Sequence, residues 1–269
     1  MNTLDLFSLK DKVAVITGGE RMYGKGCSLA LTDAGAKLYM ACPFVDAAEE
    51  TAAEIRANGH EAVVVQYDQS DPESIRHLVE HVVEQEGQID VFVNACRILG
   101  RLDKSQPYRE LGPEPADETD TGWYAHEEDI DDLVRVNGAG LIYVTELVGK
   151  QMIRQQSGSI IHFGSMMGLV GVEQHNYDGE PGMGNGAFST SYALNKSGIS
   201  SWTRHAASYY GRYGVRMNSV CPGGLASDRT PAKFSRNYSE HTQLGRLANS
   251  DDIKGLILYL ASEASAYIT

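Results

Sequence analysis

The sequence predicts an α/β fold in three layers, with a doubly wound parallel sheet between two layers of helices. Short runs rich in β-branched residues alternate with longer helical patterns along the 269 residues. The runs are continuously apolar, which is typical of strands buried on both faces by crossover helices. A glycine-rich turn, "TGGERMYG" at 17–24, follows the first run at the edge where such sheets bind ligands. We therefore predict a single domain over residues 1–269.

Six strands are predicted in chain order. They cover "VAVIT" at 13–17, "KLYMA" at 37–41, "AVVVQY" at 62–67, "VFVN" at 91–94, "SIIHF" at 159–163 and "VRMNSV" at 215–220. Helical patterns predict helices at 24–34, 45–58, 72–86, 130–156, 190–213 and 251–262. Gly35, Gly59 and Gly87 are expected to end the first three helices, because a left-handed residue closes a helix. The alternating order requires parallel pairing, so the ligand is expected at the carboxyl ends of the strands.

Composition and charge exclude several classes of function. A net charge of −13 would repel nucleic acid and anionic membranes, so neither is expected as a partner. The first residues lack a basic segment followed by an apolar run, and no apolar stretch is long enough to cross a bilayer, which predicts a cytoplasmic protein. The cysteines lack metal-ligand spacing, so they are expected to be reduced and no metal is predicted. They are Cys27, Cys42, Cys96 and Cys221.

Two connections are longer than the fold requires. Residues 99–128 are polar and acidic, and residues 168–189 are rich in glycine. Both follow strands at the ligand-binding edge, so they are expected to line the substrate pocket. Their mixture of aromatic, imidazole and carboxylate side chains favours a polar, sugar-like substrate. A third connection, at about 225–245, is expected to form a lid.

Tyr192 and Lys196, in "SYALNK", are the candidate pair for proton transfer. They lie four residues apart on a predicted helix and therefore share one face. An ammonium close to a phenol favours the phenolate, which suits a general acid or base acting at a carbonyl or an alcohol. The spacing alone also fits a surface aromatic residue beside a solvated lysine.

Two more polar residues belong to the same candidate site. Ser165 follows a buried strand, where its hydroxyl could donate to a substrate carbonyl. Asn137 falls within a predicted helix, where it indicates a bend, a bound water or a side chain bonded to the local backbone. The turn "CPGG" at 221–224 would shape the floor of the pocket.

In order and spacing, these motifs resemble those of the short-chain dehydrogenase/reductase family over essentially the whole chain. They are "TGGERMYG" 17–24, "YD" 67–68, "VNA" 93–95, "VNGAG" 136–140, "GSIIHFGS" 158–165, "YALNK" 192–196, "PGG" 222–224 and "TQLGRLA" 242–248. The resemblance implies a Rossmann-like oxidoreductase that transfers hydride between nicotinamide and a carbonyl or secondary alcohol. It implies that Tyr192 exchanges the substrate proton and that Ser165 positions the carbonyl. It also implies that Lys196 holds the nicotinamide ribose and that Asn137 anchors a water linking Lys196 to solvent.

The resemblance further implies the residues that bind each ligand. The cofactor would contact Gly18, Arg21, Met22, Tyr23, Gly24, Cys42, Asp68, Asn94, Ala95, Lys196, Pro222 and Gly223. The substrate would contact Ser165, Met166, Tyr177, Tyr192 and Gly224. A homodimer or homotetramer assembled through the helices near 130–156 and 190–213 is implied as well.

The chain departs from the family pattern first in the glycine-rich turn. Met22 replaces the middle glycine, and its side chain is expected to point outward only if its φ is negative. Gly18 is expected to form the tight turn. Gly24 is expected to permit close helix packing and to open the helix toward the cofactor pyrophosphate.

Further departures concern the choice of cofactor. Cys42 stands where NAD-preferring members carry an aspartate, and Arg21 stands where NADP-preferring members carry a base. A guanidinium suits a 2'-phosphate, which favours NADP(H) over NAD(H), although Arg21 also fits a solvated loop residue. Asp68 is expected to hydrogen-bond the adenine amino group, and Arg97 replaces a family glycine at the mouth of the cofactor cleft. The family's seventh strand is expected to be missing.

Three functions fit the sequence to different degrees. The Asn/Ser/Tyr/Lys set favours an active NAD(P)-dependent oxidoreductase. The altered turn, Cys42 and "NACR" at 94–97 leave open a catalytically silent nucleotide-binding protein that acts as a sensor or scaffold. A methyltransferase on a similar sheet is disfavoured, because it would explain neither the Tyr192 and Lys196 pair nor Ser165.

Overall fold

The computed structural model describes residues 2–98, 127–171, 173–177, 190–228 and 230–269. Most of the predicted insertion 99–128 and the second half of 168–189 therefore lie outside the described residues. Arg229, in the predicted lid, lies outside them too.

Six parallel strands form one sheet in the order β3-β2-β1-β4-β5-β6. The strands are β1 Val13–Thr17, β2 Lys37–Cys42, β3 Ala62–Gln66, β4 Val91–Asn94, β5 Gly158–Phe163 and β6 Val215–Val220. The strand order reverses at β1, which pairs with β2 on one side and with β4 on the other. A crevice therefore opens beyond the carboxyl ends of β1 and β4. The predicted doubly wound parallel sheet is confirmed, and each strand lies within one residue of its predicted bounds.

Eight α-helices are described alongside the sheet. They are α1 Met22–Asp33, α2 Val45–Ala57, α3 Pro72–Glu86, α4 Glu127–Val134, α5 Leu141–Gln155, α6 Thr190–Tyr210, α7 Ala232–Glu240 and α8 Lys254–Ala261. Helix α7 lies in the predicted lid, where no helix was predicted. Helix α8 begins at residue 254 instead of the predicted 251, because residues 251–253 form a turn.

The helices cover both faces of the sheet and give it two buried cores. On one face, α1, α2 and α8 contribute Leu31, Ile55 and Ile257 to a core built on Ile16 and Leu38. On the other face, α3, α5 and α6 pack on the opposite side chains of the same strands; this core includes Val15, Tyr39, Leu78, Phe92, Val148, Ala206 and Met217. Because successive strand residues point to opposite faces, uninterrupted apolar strands supply both cores.

Glycines end three helices as predicted. Gly35, Gly59 and Gly87 have φ values of 99°, 85° and 74°, in the left-handed region that favours glycine. The Gly87 amide donates to the carbonyl of Val83 at 2.8 Å, which closes the last turn of α3.

The predicted continuous helix 130–156 is wrong in its middle. Residues Arg135–Gly140 form a π-helical segment between α4 and α5. The Asn137 side chain bonds to the backbone of Ile98, and a Cβ at Gly140 would lie 2.0 Å from the carbonyl oxygen of Gln69. These contacts with distant parts of the chain hold the widened turn, which local helical periodicity does not indicate.

His162 is a fully buried residue of β5 that joins the two long helices behind the sheet. Its Nε2 lies 3.0 Å from Oγ1 of Thr145 on α5, and its Nδ1 lies 2.9 Å from Oγ1 of Thr203 on α6. Burial lowers the pKa of His162 from 6.5 to about 3, so the ring is neutral at physiological pH.

Candidate active site

The glycine-rich turn follows β1 and is held by close backbone contacts. Gly18 has a φ of 72°, and its amide donates to the carbonyl of Ala41 at 3.0 Å. A Cβ at Gly18 would lie 2.9 Å from the amide nitrogen of Cys96, and a Cβ at Gly24 would lie 1.8 Å from the carbonyl oxygen of Gly18. The turn thus depends on glycine at both positions, as predicted.

Met22 has both a positive φ and an exposed side chain, although the two were expected to exclude each other. Its φ is 54°, and yet 46% of its side chain is exposed. The expectation that only a negative φ would turn this side chain outward is therefore wrong. Met22 is the first residue of α1, and nearly half of its surface is open to solvent.

The amino end of α1 is open to an anion. The helix begins at Met22 instead of the predicted 24, so Gly24 lies inside its first turn. Arg21, the residue before the helix, makes no side-chain capping bond, and the first-turn amides can therefore serve a phosphate. The Tyr23 hydroxyl donates to the Gly223 carbonyl at 3.3 Å, which links the turn to the segment after β6.

Residues on the predicted adenosine side lie at the ends of β2, β3 and β4. Cys42 is buried, and its thiol donates to the Phe44 carbonyl at 3.3 Å. The exposed guanidinium of Arg21 lies 5.8 Å from the centre of the Phe44 ring. Asp68 accepts hydrogen bonds from the backbone and hydroxyl of Ser70 at 2.8 and 2.7 Å.

The same crevice is bounded by the residues that follow β4. Asn94 is buried and donates from Nδ2 to Oε1 of Gln69 at 3.1 Å. The Ala95 amide donates to the carbonyl of Thr17 at 3.0 Å, which holds this segment against the end of β1.

Tyr192 and Lys196 are brought together in a buried site on α6. The two side chains are 8% and 3% exposed, and the Lys196 Nζ lies 5.9 Å from the centre of the Tyr192 ring. Nζ also donates to the carbonyl of Phe163 at 2.7 Å, which ties α6 to the end of β5. The interpretation of Tyr192 as a surface aromatic beside a solvated lysine is therefore wrong.

The charge state of Lys196 is sensitive to its surroundings. Burial and the positive charge of Arg97 lower the pKa of Lys196 from 10.5 to about 8. Arg97, which stands where the family pattern has a glycine, is half-buried and acts on the site through its charge.

Ser165 follows β5 two residues after Phe163 and is 7% exposed. Its Oγ accepts a hydrogen bond from the Met167 amide at 3.2 Å. That bond uses a lone pair of the oxygen, so the hydroxyl hydrogen can be donated to a substrate oxygen.

Asn137 is buried and fixes the segment after β4. Its Oδ1 accepts from the Ile98 amide at 3.0 Å, and its Nδ2 donates to the Ile98 carbonyl at 2.9 Å. The prediction of a bond to local backbone is wrong, because Ile98 lies on a different element. The predicted water-anchoring role stays a prediction.

The predicted substrate-side residues meet α7. Met166 accepts a hydrogen bond from the Tyr238 hydroxyl at 2.9 Å, and that hydroxyl accepts from the Gly224 amide at 2.6 Å. Tyr177 and Phe234 pack together, with ring centres 5.0 Å apart. Phe234 and Tyr238 of α7 thus form one apolar cluster with Tyr177 and with the two methionines after β5. The Tyr238 hydroxyl also links α7 to the turn after β6.

Sequence reasoning missed two side chains at this edge of the sheet. Tyr238 bonds both to Met166 and to the turn after β6, and its spacing of four from Phe234 was the available signal for α7. Glu20 lies in the glycine-rich turn, and burial raises the pKa of its carboxyl. An acidic residue at the centre of a predicted phosphate-binding turn was the signal for Glu20.

Metal and membrane features were searched within the described ranges. There, no three histidine, cysteine or acidic residues are grouped as metal ligands. No helix of that part of the chain is long and apolar enough to cross a membrane.

Known proteins match this chain along nearly its whole length. A family model described as short chain dehydrogenase matches residues 12–237. L-rhamnose 1-dehydrogenase (NAD(P)(+)) of Sphingomonas sp. is 29% identical over 268 residues, 97% of this chain and 93% of that protein. The 3-oxoacyl-acyl-carrier-protein reductase of Synechocystis sp. is 30% identical over 264 residues, 97% of this chain and 94% of that protein. A gluconate 5-dehydrogenase from Burkholderia cenocepacia, solved with NADP and tartrate, is similar at a TM-score of 0.79 and 26% identity, over 100% of this chain and 94% of that one.

Proposed function

This chain belongs to the short-chain dehydrogenase/reductase family, and we propose that it interconverts a carbonyl and a secondary alcohol with an NAD(P) cofactor, using Tyr192 as general acid/base. The observation that carries the proposal is that Tyr192 and Lys196 lie next to each other in a buried site. The hydrogen bond from Nζ of Lys196 to the carbonyl of Phe163 holds this pair near Ser165, two residues further along the chain. A buried lysine whose pKa is lowered by burial and by a neighbouring charge is typical of functional sites.

In this proposal, Tyr192 and Ser165 act on one substrate oxygen. During reduction, the Tyr192 phenol gives its proton to the carbonyl oxygen as that oxygen becomes an alcohol. During oxidation, the phenolate takes the proton back. Ser165 donates its hydroxyl hydrogen to the same oxygen and stabilises the negative charge that develops there. When bound, the nicotinamide supplies or accepts the hydride.

Lys196 supports the proton transfer without contacting the reacting carbon. Its ammonium lies 5.9 Å from the centre of the Tyr192 ring, and both side chains are buried, so this positive charge acts on the phenol with little screening by water. The bond to Phe163 holds Nζ in one place, and its remaining donors can serve the ribose of the nicotinamide half. Asn137 contributes by fixing the segment that carries Arg97 and Ile98.

The turn after β1 fits a dinucleotide. The close approach of Gly24 to the Gly18 carbonyl leaves no room for a side chain, so the glycine-rich turn packs tightly against the first turn of α1. The open first turn of α1 supplies amide donors to the pyrophosphate. Met22 does not obstruct this arrangement, because its side chain projects into solvent. The residues that would hold the cofactor are those predicted from the sequence.

NADP(H) is the cofactor that we favour over NAD(H). Arg21 supports this choice, because its guanidinium is exposed beside the end of β2, on the adenosine side. A guanidinium there can bind a 2'-phosphate in a bidentate manner. The structural neighbour solved with NADP agrees with such a site.

The proposed substrate is small, polar and hydroxylated. Two similar proteins carry names that refer to a sugar and a sugar acid, L-rhamnose 1-dehydrogenase and gluconate 5-dehydrogenase. The half-buried guanidinium of Arg97 beside Lys196 makes the site positively charged, which suits a substrate with oxygen-rich or anionic groups.

Cofactor titration combined with a substrate panel tests the proposal. NADPH and NADH are titrated by nicotinamide fluorescence, and turnover is then measured with sugars, sugar acids and apolar ketones. We expect turnover of a polar substrate that Tyr192→Phe abolishes while leaving nucleotide binding unchanged. Tight nucleotide binding without turnover on any substrate, unaltered by Tyr192→Phe, would instead support the silent sensor or scaffold. Turnover of flat apolar ketones alone would exclude the sugar-like substrate.

We also propose a cytoplasmic homodimer or homotetramer formed through the α4–α5 and α6 helices. Large apolar side chains are exposed on these helices, Val134 at 46% and Leu194 at 70%. Apolar side chains left in solvent on adjoining helices are typical of subunit contacts. Light scattering that finds only a monomer would exclude this assembly.

A further inference from the structure

Three buried polar atoms at the carboxyl ends of β1 and β4 have no hydrogen-bond partner among the described residues. They are Oγ1 of Thr17, Oε2 of Glu20 and Oδ1 of Asn94. Buried polar groups in folded proteins are nearly always paired, and an unpaired group indicates a missing ligand or water. All three lie where the strand order reverses, and Glu20 is the only one that carries an ionisable group.

Glu20 is positioned by backbone contacts on both sides. Its carbonyl accepts a hydrogen bond from Oγ1 of Thr51 on α2 at 3.0 Å. The preceding carbonyl, of Gly19, accepts from Oγ of Ser28 at 2.9 Å on the first helix. The backbone of this residue is therefore fixed, while its side chain keeps three rotatable bonds.

The charge of Glu20 acts on two thiols, that of Cys42 at the end of β2 and that of Cys96 just after β4. This negative charge contributes to raising the pKa of the Cys42 and Cys96 thiols, each to about 12, after the larger effect of burial. The positive charge that acts on Glu20 is that of Arg21, and the negative charge of Asp68 acts on Cys96 together with that of Glu20. The charge of Glu20 thus reaches both strand ends that bound the predicted adenosine site.

The described contacts of Glu20 leave one of its carboxylate oxygens unsatisfied. The neighbouring guanidinium of Arg21 lies over the Phe44 ring, 5.8 Å from its centre, and its charge lowers the pKa of Glu20 without outweighing the effect of burial. Burial is the largest influence on this carboxyl group and raises its pKa, while a hydrogen bond from its own backbone and the charge of Arg21 act in the opposite direction. The oxygen Oε2 is still buried without a hydrogen-bond partner among the described residues, and a ligand with hydroxyl donors would supply one.

We propose that Glu20 accepts hydrogen bonds from the ribose hydroxyls of the adenosine half and so admits the unphosphorylated cofactor NAD(H), in opposition to Arg21. Cys42, which stands where the family pattern places the ribose-binding acid, bonds to Phe44 and provides no negative charge. Glu20 supplies the carboxylate from the adjacent turn instead. Ribose hydroxyls are neutral donors and suit it, whereas a 2'-phosphate beside it is repelled.

This inference rests on the proposed function, since it assigns a residue of the same cofactor site. It predicts that the chain binds both cofactors, with Glu20 favouring the diol and Arg21 favouring the phosphate. Removing either side chain should then shift the preference in opposite directions.

Binding of two nucleotide fragments to the full chain tests the inference without catalysis. ADP-ribose and 2'-phospho-ADP-ribose are titrated by calorimetry into the wild type, Glu20→Gln and Glu50→Gln. Glu50 is an exposed carboxylate on α2 and serves as the control. We expect Glu20→Gln to raise the Kd of ADP-ribose about tenfold or more, which is typical when a hydrogen bond to a charged group is lost. The Kd of 2'-phospho-ADP-ribose should stay constant or fall, and Glu50→Gln should change neither value.

Two results would overturn the inference. An unchanged Kd for ADP-ribose would show that the carboxylate does not touch the ribose. An equal rise for both fragments would show that Glu20 only shapes the turn, and thermal unfolding with Glu20→Asp, which keeps the charge, would identify that structural role. In either case the wild type would still turn over substrate with NADPH in a reaction that requires Tyr192. If the proposed function were wrong, the wild type itself would show no turnover.

Discussion

Replacing His162 by glutamine removes the titratable ring that joins α5 to α6, and the effect of this change on stability should depend on pH. In the folded protein the ring is neutral, because burial lowers its pKa from 6.5 to about 3. In the unfolded chain the ring meets water and takes up a proton near pH 6.5. The stability that depends on this ring is therefore fully present above pH 6.5 and is lost as the pH falls toward 3.

The size of the loss near pH 5 is set almost entirely by the unfolded chain, since the folded ring stays neutral there. At about pH 5 the protonated form of an unfolded histidine outweighs the neutral form about thirtyfold, which corresponds to roughly 2 kcal/mol of folding free energy. Below about pH 3 the loss would level off near roughly 5 kcal/mol, because both states are then protonated.

Urea unfolding followed by circular dichroism measures this effect at about pH 7.5 and about pH 5. The wild type should lose roughly 2 kcal/mol more than His162→Gln between the two pH values. Because each protein is compared with itself at the two pH values, any pH-independent loss of stability from repacking around residue 162 cancels. His205→Gln, on the exposed side of α6, serves as the control and should keep the wild-type difference. Equal losses in the wild type and His162→Gln would refute the assignment of a neutral buried ring.

Three further predictions concern the site itself. Gly24→Ala should abolish nucleotide binding measured by fluorescence, because its Cβ would lie 1.8 Å from the carbonyl oxygen of Gly18. Gly255→Ala on α8 is the control, since a Cβ there meets open space. This control should leave nucleotide binding unchanged and stabilise the fold by up to about 1 kcal/mol. Arg97→Gln should move the pKa of Lys196 upward, because a neighbouring positive charge is removed; an unchanged pH profile of kcat/KM would count against this coupling. Met22→Val should weaken nucleotide binding, because a β-branched residue tolerates a φ of 54° poorly, and Met22→Gly should bind at least as well as the wild type.

The sheet could be predicted closely because its four inner strands, β2, β1, β4 and β5, are buried on both faces. A continuous apolar run such as Val13–Thr17 has one simple interpretation, and its ends are marked by polar or turn-forming residues. The closeness of Tyr192 and Lys196 was predictable for a similar reason, since a spacing of four on one helix fixes it.

Features held by distant contacts could not be predicted in this way. The π-helical segment depends on Ile98 and Gln69, which lie far from it in sequence. The positive φ of Met22 is imposed by the packing of the whole turn, and propensity alone argues against it. The sequence shows that an acidic residue stands in the glycine-rich turn, but the burial of Glu20 and the unpaired state of its Oε2 depend on the folded packing of that turn.

The reversal of strand order at β1 has a consequence for folding kinetics. Val13 pairs with Lys37 through a short crossover, whereas Ala14 pairs with Val91, so the second pairing closes a much longer loop. Long-range parallel pairing is slow, because the entropy of loop closure is lost before the new contacts form. The nucleotide crevice exists only after β4 has joined β1, so a bound nucleotide should slow unfolding while leaving the folding rate nearly unchanged.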